Sequence, residues 1–146
     1  MSKTIKILFL AANPKDTPRV RLDEEIRGIR EALLRSEFRD KFDIEQEWAV
    51  RVSDLQSYLL QHKPDIVHFS GHGSKDNTEN SQPDSVRAIS FSKHGNELSE
   101  IILEDNAGNS QPVSTRALSQ LFSVLKDNIR CVVLNGSISR NGEAIV

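Results

Sequence analysis

The sequence predicts a doubly wound α/β fold on a mostly parallel sheet, with helices in layers on both faces. Three observations carry this reading. Residues 5–12, 65–70 and 129–134 are apolar runs of the kind found in strands buried on both faces. Between them, apolar residues recur at spacings of three and four, the helical period. The two kinds of segment also alternate, which implies right-handed crossovers between parallel strands.

The first strand runs from Ile5 to Ala12 and is ended by Asn13-Pro14. Thr17-Pro18 reads as a helix start, a capping hydroxyl before a proline at the first position. Asp23, Glu24 and Glu25 follow, where the helix dipole favours anions. Leu22, Ile26, Ile29 and Leu33 share one face. Phe42, Ile44 and Trp48 mark a second, more alternating strand, expected at a sheet edge. Ser53 caps a helix carrying Leu55, Tyr58 and Leu59, which stops near Lys63-Pro64. Asp65 to Ser70 is the third strand, and Gly71-His72-Gly73 reads as the loop that follows it. Ser114 caps a helix with Leu118, Leu121, Phe122 and Leu125 on one face. Ile129 to Leu134 is a further buried strand, ended by Asn135-Gly136.

The pattern is interrupted between residues 74 and 112. SKDNTENSQPDS is polar and without apolar periodicity, so residues 74–87 are expected to form a mobile loop. AISFS begins at Ala88. Ile101 to Glu104, followed by Asn106-Ala107-Gly108-Asn109, has the form of a β-hairpin with its turn. No internal repeat or linker is visible, and residues 1–146 read as one domain.

The totals narrow the function. The 146 residues suffice for one core. A formal charge of −2 gives no electrostatic reason to expect nucleic acid. No apolar run approaches the roughly 20 residues of a membrane span. MSKTIKILFLAAN has the lysines and apolar run of a signal peptide, but the run is short, no cleavage site follows Ala12, and a strand explains it better. The single Cys131 excludes an internal disulfide and fits a reducing cytosol, so a cytoplasmic location is expected.

In open parallel sheets, ligands bind beyond the carboxyl ends of the strands. Asn13-Pro14-Lys15, Gly71-His72-Gly73 and Asn135-Gly136-Ser137 exit there. If the third and fourth parallel strands are neighbours, His72 and Ser137 face each other, as a base and a nucleophile must for acyl transfer. Gly73 has no side chain to shield its N–H, which could then meet a developing oxyanion. The plainer alternative is a turn that tolerates unusual dihedrals.

The chain also resembles the CHAT family, caspase-like domains often attached to tetratricopeptide repeats. ILFLAANPKDTPRVRLDEEIRGI resembles the family's opening strand and helix. DIVHFSGHGS, IILEDNAGNSQPVSTRALSQLF and CVVLN resemble its histidine strand, its hairpin and helix, and its nucleophile strand. The resemblance implies a caspase-like three-layer α/β/α sandwich of flavodoxin-like order with a small β-hairpin insertion. It also implies a cysteine endopeptidase ancestry, with His72 as general base and a cysteine in the position of Ser137.

Two departures follow. Serine stands where the family has cysteine, and a hydroxyl needs a well-aligned base and an orienting group that a thiol can do without. No third member is visible to orient His72, and Gly136-Ser137-Ile138-Ser139-Arg140 is not a nucleophile elbow. Family domains also continue past the nucleophile, whereas this sequence stops at Val146; the resemblance therefore implies a large-subunit-like half, expected to be truncated at its C-terminus: a fragment, a half completed by a partner, or a domain with an incomplete cleft. The expectation is therefore a domain of peptidase lineage that is inactive as written. The alternative is a non-catalytic interaction module for a protein or peptide, such as a tetratricopeptide-repeat or other signalling protein, of unspecified oligomeric state.

Other residues read plainly. His68 alternates with Val67 and Phe69 as a hydrogen-bonded interior histidine. Cys131, at the opposite end of its strand, reads as a buried core thiol. Lys15, Arg19 and Arg21 could line a pocket for an acidic side chain, though a solvated face is the simpler reading. Neither a metal cage, to which His94 in the loop adds nothing, nor a G-x-G-x-x-G dinucleotide site is present, so no metal or cofactor is expected. A phosphoacceptor receiver would need carboxylates where Asn13 and Ser70 stand.

Overall fold

The computed structural model describes residues 3–74, 88–92, 100–125 and 129–138. Strand β1 (Ile5–Ala11) leads to helix α1 (Leu22–Arg35), a short 3-10 turn at Arg39–Lys41 and β2 (Phe42–Glu47). Helix α2 (Val52–His62), β3 (Ile66–Ser74) and β4 (Ala88–Ser92) come next. The chain then forms β5 (Glu100–Glu104), β6 (Ser110–Ser114), α3 (Thr115–Val124) and β7 (Cys131–Ile138).

Five strands run parallel in the order β2-β1-β3-β7-β4. The hairpin β5–β6 joins the same sheet antiparallel, beside residues 72–74 of β3 and just beyond the point where β1 stops pairing with it. The fold is thus α/β with a mixed sheet. Among the described residues β2 pairs only with β1, the edge position its alternation suggested. Among the described residues, no helix is long and apolar enough to cross a membrane.

The two faces of the sheet carry different cores. Leu8 and Leu10 of β1, Val67 and Phe69 of β3, and Val132 and Leu134 of β7 join Leu55 and Leu59 of α2 and Leu118 and Phe122 of α3. Phe9, Ala11, Leu22 and Ile26 form the other cluster, beneath α1. Alternate residues of a strand point to opposite faces, so one sequence of β1 serves both.

Several boundaries differ from the sequence expectation. α1 starts at Leu22, and its cap, Arg21, makes no side-chain capping bond. Thr17 instead donates its hydroxyl to the Pro14 carbonyl at 2.7 Å and closes a turn. α2 begins at Val52, so Ser53 lies inside it. Ser114 does cap α3, accepting from the Ala117 N–H at 3.0 Å.

The largest correction concerns the strand ends. Gly71-His72-Gly73 and Asn135-Gly136-Ser137 are not loops, because β3 and β7 continue through them as paired strand. The hairpin and β7 supply ladder partners that a local reading cannot anticipate. Cys131 is half-buried rather than in the core. The proposed mobile loop, apart from Ser74, and His94 lie outside the described residues.

Candidate active site

The β3–β7 ladder places His72 opposite Ser137 as register partners, one pleat beyond Ser70 opposite Asn135. The strands expected at residues 65–70 and 129–134 are neighbours, as β3 and β7, although the parallel strand β4 lies between them in sequence and pairs on the far side of β7, and His72 and Ser137 share one position at the carboxyl end of the sheet. Gly73 has Ile101 of β5 on one side and Ile138 of β7 on the other, so neither of its backbone edges borders an open gap.

Gly71 has a steric reason to be glycine. A Cβ there would lie 2.7 Å from the Ala12 carbonyl oxygen and 3.0 Å from the Phe69 ring. Real Cβ atoms do not approach backbone oxygens so closely, so the end of β1 can pass over β3 only at a residue without a side chain.

His72 has an orienting partner. Its Nε2 lies 2.6 Å from the carbonyl oxygen of Pro18. A carbonyl can only accept, so Nε2 carries a proton, and in the neutral ring the lone pair is then on Nδ1. No side-chain pattern announced this group, because it is backbone, 54 residues away.

The segment presenting Pro18 is held from several sides. Asn13 exchanges two bonds of 3.3 Å with the N–H and carbonyl of Val20. The Lys15 N–H donates to the Gly108 carbonyl at 3.0 Å. The Asp16 carboxylate accepts from the N–H and hydroxyl of Ser110, at 2.8 and 2.9 Å, and the hydroxyl bond does most to keep Asp16 below its usual pKa. The Asn13 N–H reaches Glu104 Oε2 at 3.2 Å. The hairpin thus supports both β3 and the loop that orients His72.

Beside this loop opens a cavity of ≈ 510 Å³ whose walls include Lys15, Arg19, Trp48 and Glu104. Of the three basic residues noted in the sequence, Lys15 and Arg19 line it. Arg21 instead pairs outward with Asp23 and Glu24.

Beneath the pair lies a polar cluster. Glu25 of α1 accepts from three side chains: His68 Nε2 at 3.0 Å and Asn135 Nδ2 at 2.7 Å on Oε1, and the Ser70 hydroxyl on Oε2. The His68 ring stacks on Phe9, with centroids 5.4 Å apart. His68 is hydrogen-bonded, as the alternation suggested, but half-buried rather than interior. Burial pushes the Glu25 pKa upward, but bonds from His68, Ser70 and Asn135 outweigh it and hold the carboxyl below its usual range. The sequence reading placed Glu25 only in the dipole field of the helix. A signal was available: Glu25 sits three residues after Leu22 and next to Ile26, on the buried stripe.

Among the described residues, no group of three or more His, Cys, Asp or Glu side chains is arranged to hold a metal ion. No protein-family model matches the chain. Over 68 residues the chain is 32% identical to a protein of Gillisia limnaea (strain DSM 15749 / LMG 21470 / R-8282) named "Probable protease". The match covers 47% of this chain and 12% of that protein, so the chain spans a small part of its relative's length.

Proposed function

We propose that this chain is a CHAT-type, caspase-like peptidase domain of cytoplasmic lineage, in which serine at position 137 leaves the hydrolytic site silent. The observation that carries this reading is the His72–Ser137 register pair on adjacent parallel strands, with His72 fixed by the Pro18 carbonyl. The likeness to a probable protease supports it, as does a mixed α/β sheet with helices on both faces, compatible with a three-layer caspase-like order.

In this reading His72 Nδ1 takes the proton of the nucleophile at position 137. A neutral carbonyl fixes the tautomer but offers no negative charge to the imidazolium that forms. A thiol tolerates that, because a thiolate–imidazolium pair can exist before substrate arrives. A serine must be deprotonated during attack and depends more on charge behind the histidine. Gly73 contributes least, since it has strand partners on both sides.

The test is peptide-library cleavage by three proteins: this chain, its Ser137→Cys variant, and that variant extended by the further strands the CHAT resemblance implies. Only the last is expected to turn over. Turnover by the unmodified chain, lost on His72→Ala, would make Ser137 a working nucleophile and overturn the silent assignment. Inactivity of all three would favour a non-catalytic module that binds a protein or peptide.

A further inference from the structure

We infer that Glu25 is the positioning residue of the candidate site: its one carboxylate pins the Ser70–Asn135 register pair, from which β3 and β7 run on to His72 and Ser137. The inference rests on the peptidase reading above and assigns that site a part outside the catalytic pair.

The geometry is specific. Ser70 and Asn135 are register partners, as are His72 and Ser137 two residues later on the same strands. Glu25 binds both members of the nearer pair, through Oε2 and Oε1 respectively. It also binds His68, one pleat further back on β3. Three donors from two strands therefore converge on one group of a helix.

The sheet does not need this group to keep its register. Ile66 to Phe69 already pair with Cys131 to Leu134, and the opposite face seals the same strands with aliphatic and aromatic side chains. Glu25 is only partly buried, yet drawing even part of a carboxylate out of water costs free energy that an apolar residue of similar size in the same space would avoid. The carboxylate also sets a second distance. α1 begins four residues after Pro18, so tying α1 to Ser70 fixes where the Pro18 carbonyl stands relative to His72. Glu25 thus acts through the backbone on both ends of the candidate pair.

The experiment needs no substrate. A Ser137→Cys, Cys131→Ser protein carries one thiol, at position 137, and its alkylation by iodoacetamide is followed against pH. If His72 pairs with that thiol, the profile has a midpoint below the ordinary cysteine value of roughly 8.5. His72→Ala is expected to return it to that value. Glu25→Gln keeps the size of the side chain and removes its charge, and is expected to raise the midpoint by about one unit. That makes alkylation about tenfold slower below both midpoints. A purely structural role would alter the melting temperature and leave this profile in place.

If Glu25→Gln leaves the midpoint unmoved while His72→Ala shifts it, the positioning role is wrong and the peptidase reading survives. If the parent thiol titrates as an ordinary cysteine, both fail. Should Glu25→Gln not fold, Asn135→Ala removes only the link to β7 and is expected to move the midpoint the same way by less. An unmoved midpoint in that folded variant also overturns the proposal.

Discussion

The two faces of the central sheet are built from the same three strands and obey different rules. On the α2–α3 face, Leu8, Leu10, Val67, Phe69, Val132 and Leu134 form one apolar cluster with Leu55, Leu59, Leu118 and Phe122 of the helices. On the α1 face, the intervening positions include Phe9 and Ala11, then His68, Ser70 and Asn135 gathered on Glu25. The first face stabilises through area removed from water, which is non-directional. The second relies on directional bonds that require each partner at a set distance, and it lies under the candidate catalytic pair. The contrast teaches that this sheet spends one face on stability and the other on geometry.

The sharpest way to break the apolar face is Phe69→Ala. Phe69 is 1% exposed, and losing the ring leaves a cavity that the close-packed strands cannot fill. Unfolding in urea is expected to show a loss of about 3–5 kcal/mol. A loss below 1 kcal/mol would mean that this face is far more plastic than its packing indicates.

Gly71→Ala attacks the same face from the opposite direction, by adding one methyl. The new Cβ meets the Ala12 carbonyl, which is backbone and cannot rotate away. A loss of about 1–3 kcal/mol is expected by the same measurement. An unchanged urea midpoint would show that the end of β1 is free to shift.

The smallest effect sharpens the polar face and depends on pH. The folded Glu25 pKa lies below the usual carboxylate range, so the unfolded chain takes up this proton first as the solution is acidified. The stability Glu25 contributes is therefore complete above the ordinary range and is lost as pH falls through that range to the lower folded value. Glu25→Gln should lower the urea midpoint at neutral pH and close the gap to the parent below the ordinary carboxylate range. Parallel midpoint curves at both pH values would remove the ionised carboxylate from the account of this face.

Much of this was legible in the sequence because the signals were local. Apolar runs and helical spacing located β1, β3, β7 and helices α1, α2 and α3, and Asn106 to Asn109 marked the hairpin turn. The neighbouring positions of His72 and Ser137 followed from two strand ends and a topological rule. The extent of β3 and β7 was not legible, since a strand continues wherever a partner offers a ladder, and β5 arrives from 30 residues away in sequence. The Pro18 carbonyl was invisible because every residue has one, and only the tertiary path brings this one to His72. The Glu25 cluster joins residues 43, 45 and 110 positions apart. Sequence alone determined which residues could do chemistry, since side-chain type and local period are written in the order of residues. The tertiary structure decided which of them meet, because hydrogen bonds depend on distances of about 3 Å that no sequence spacing encodes.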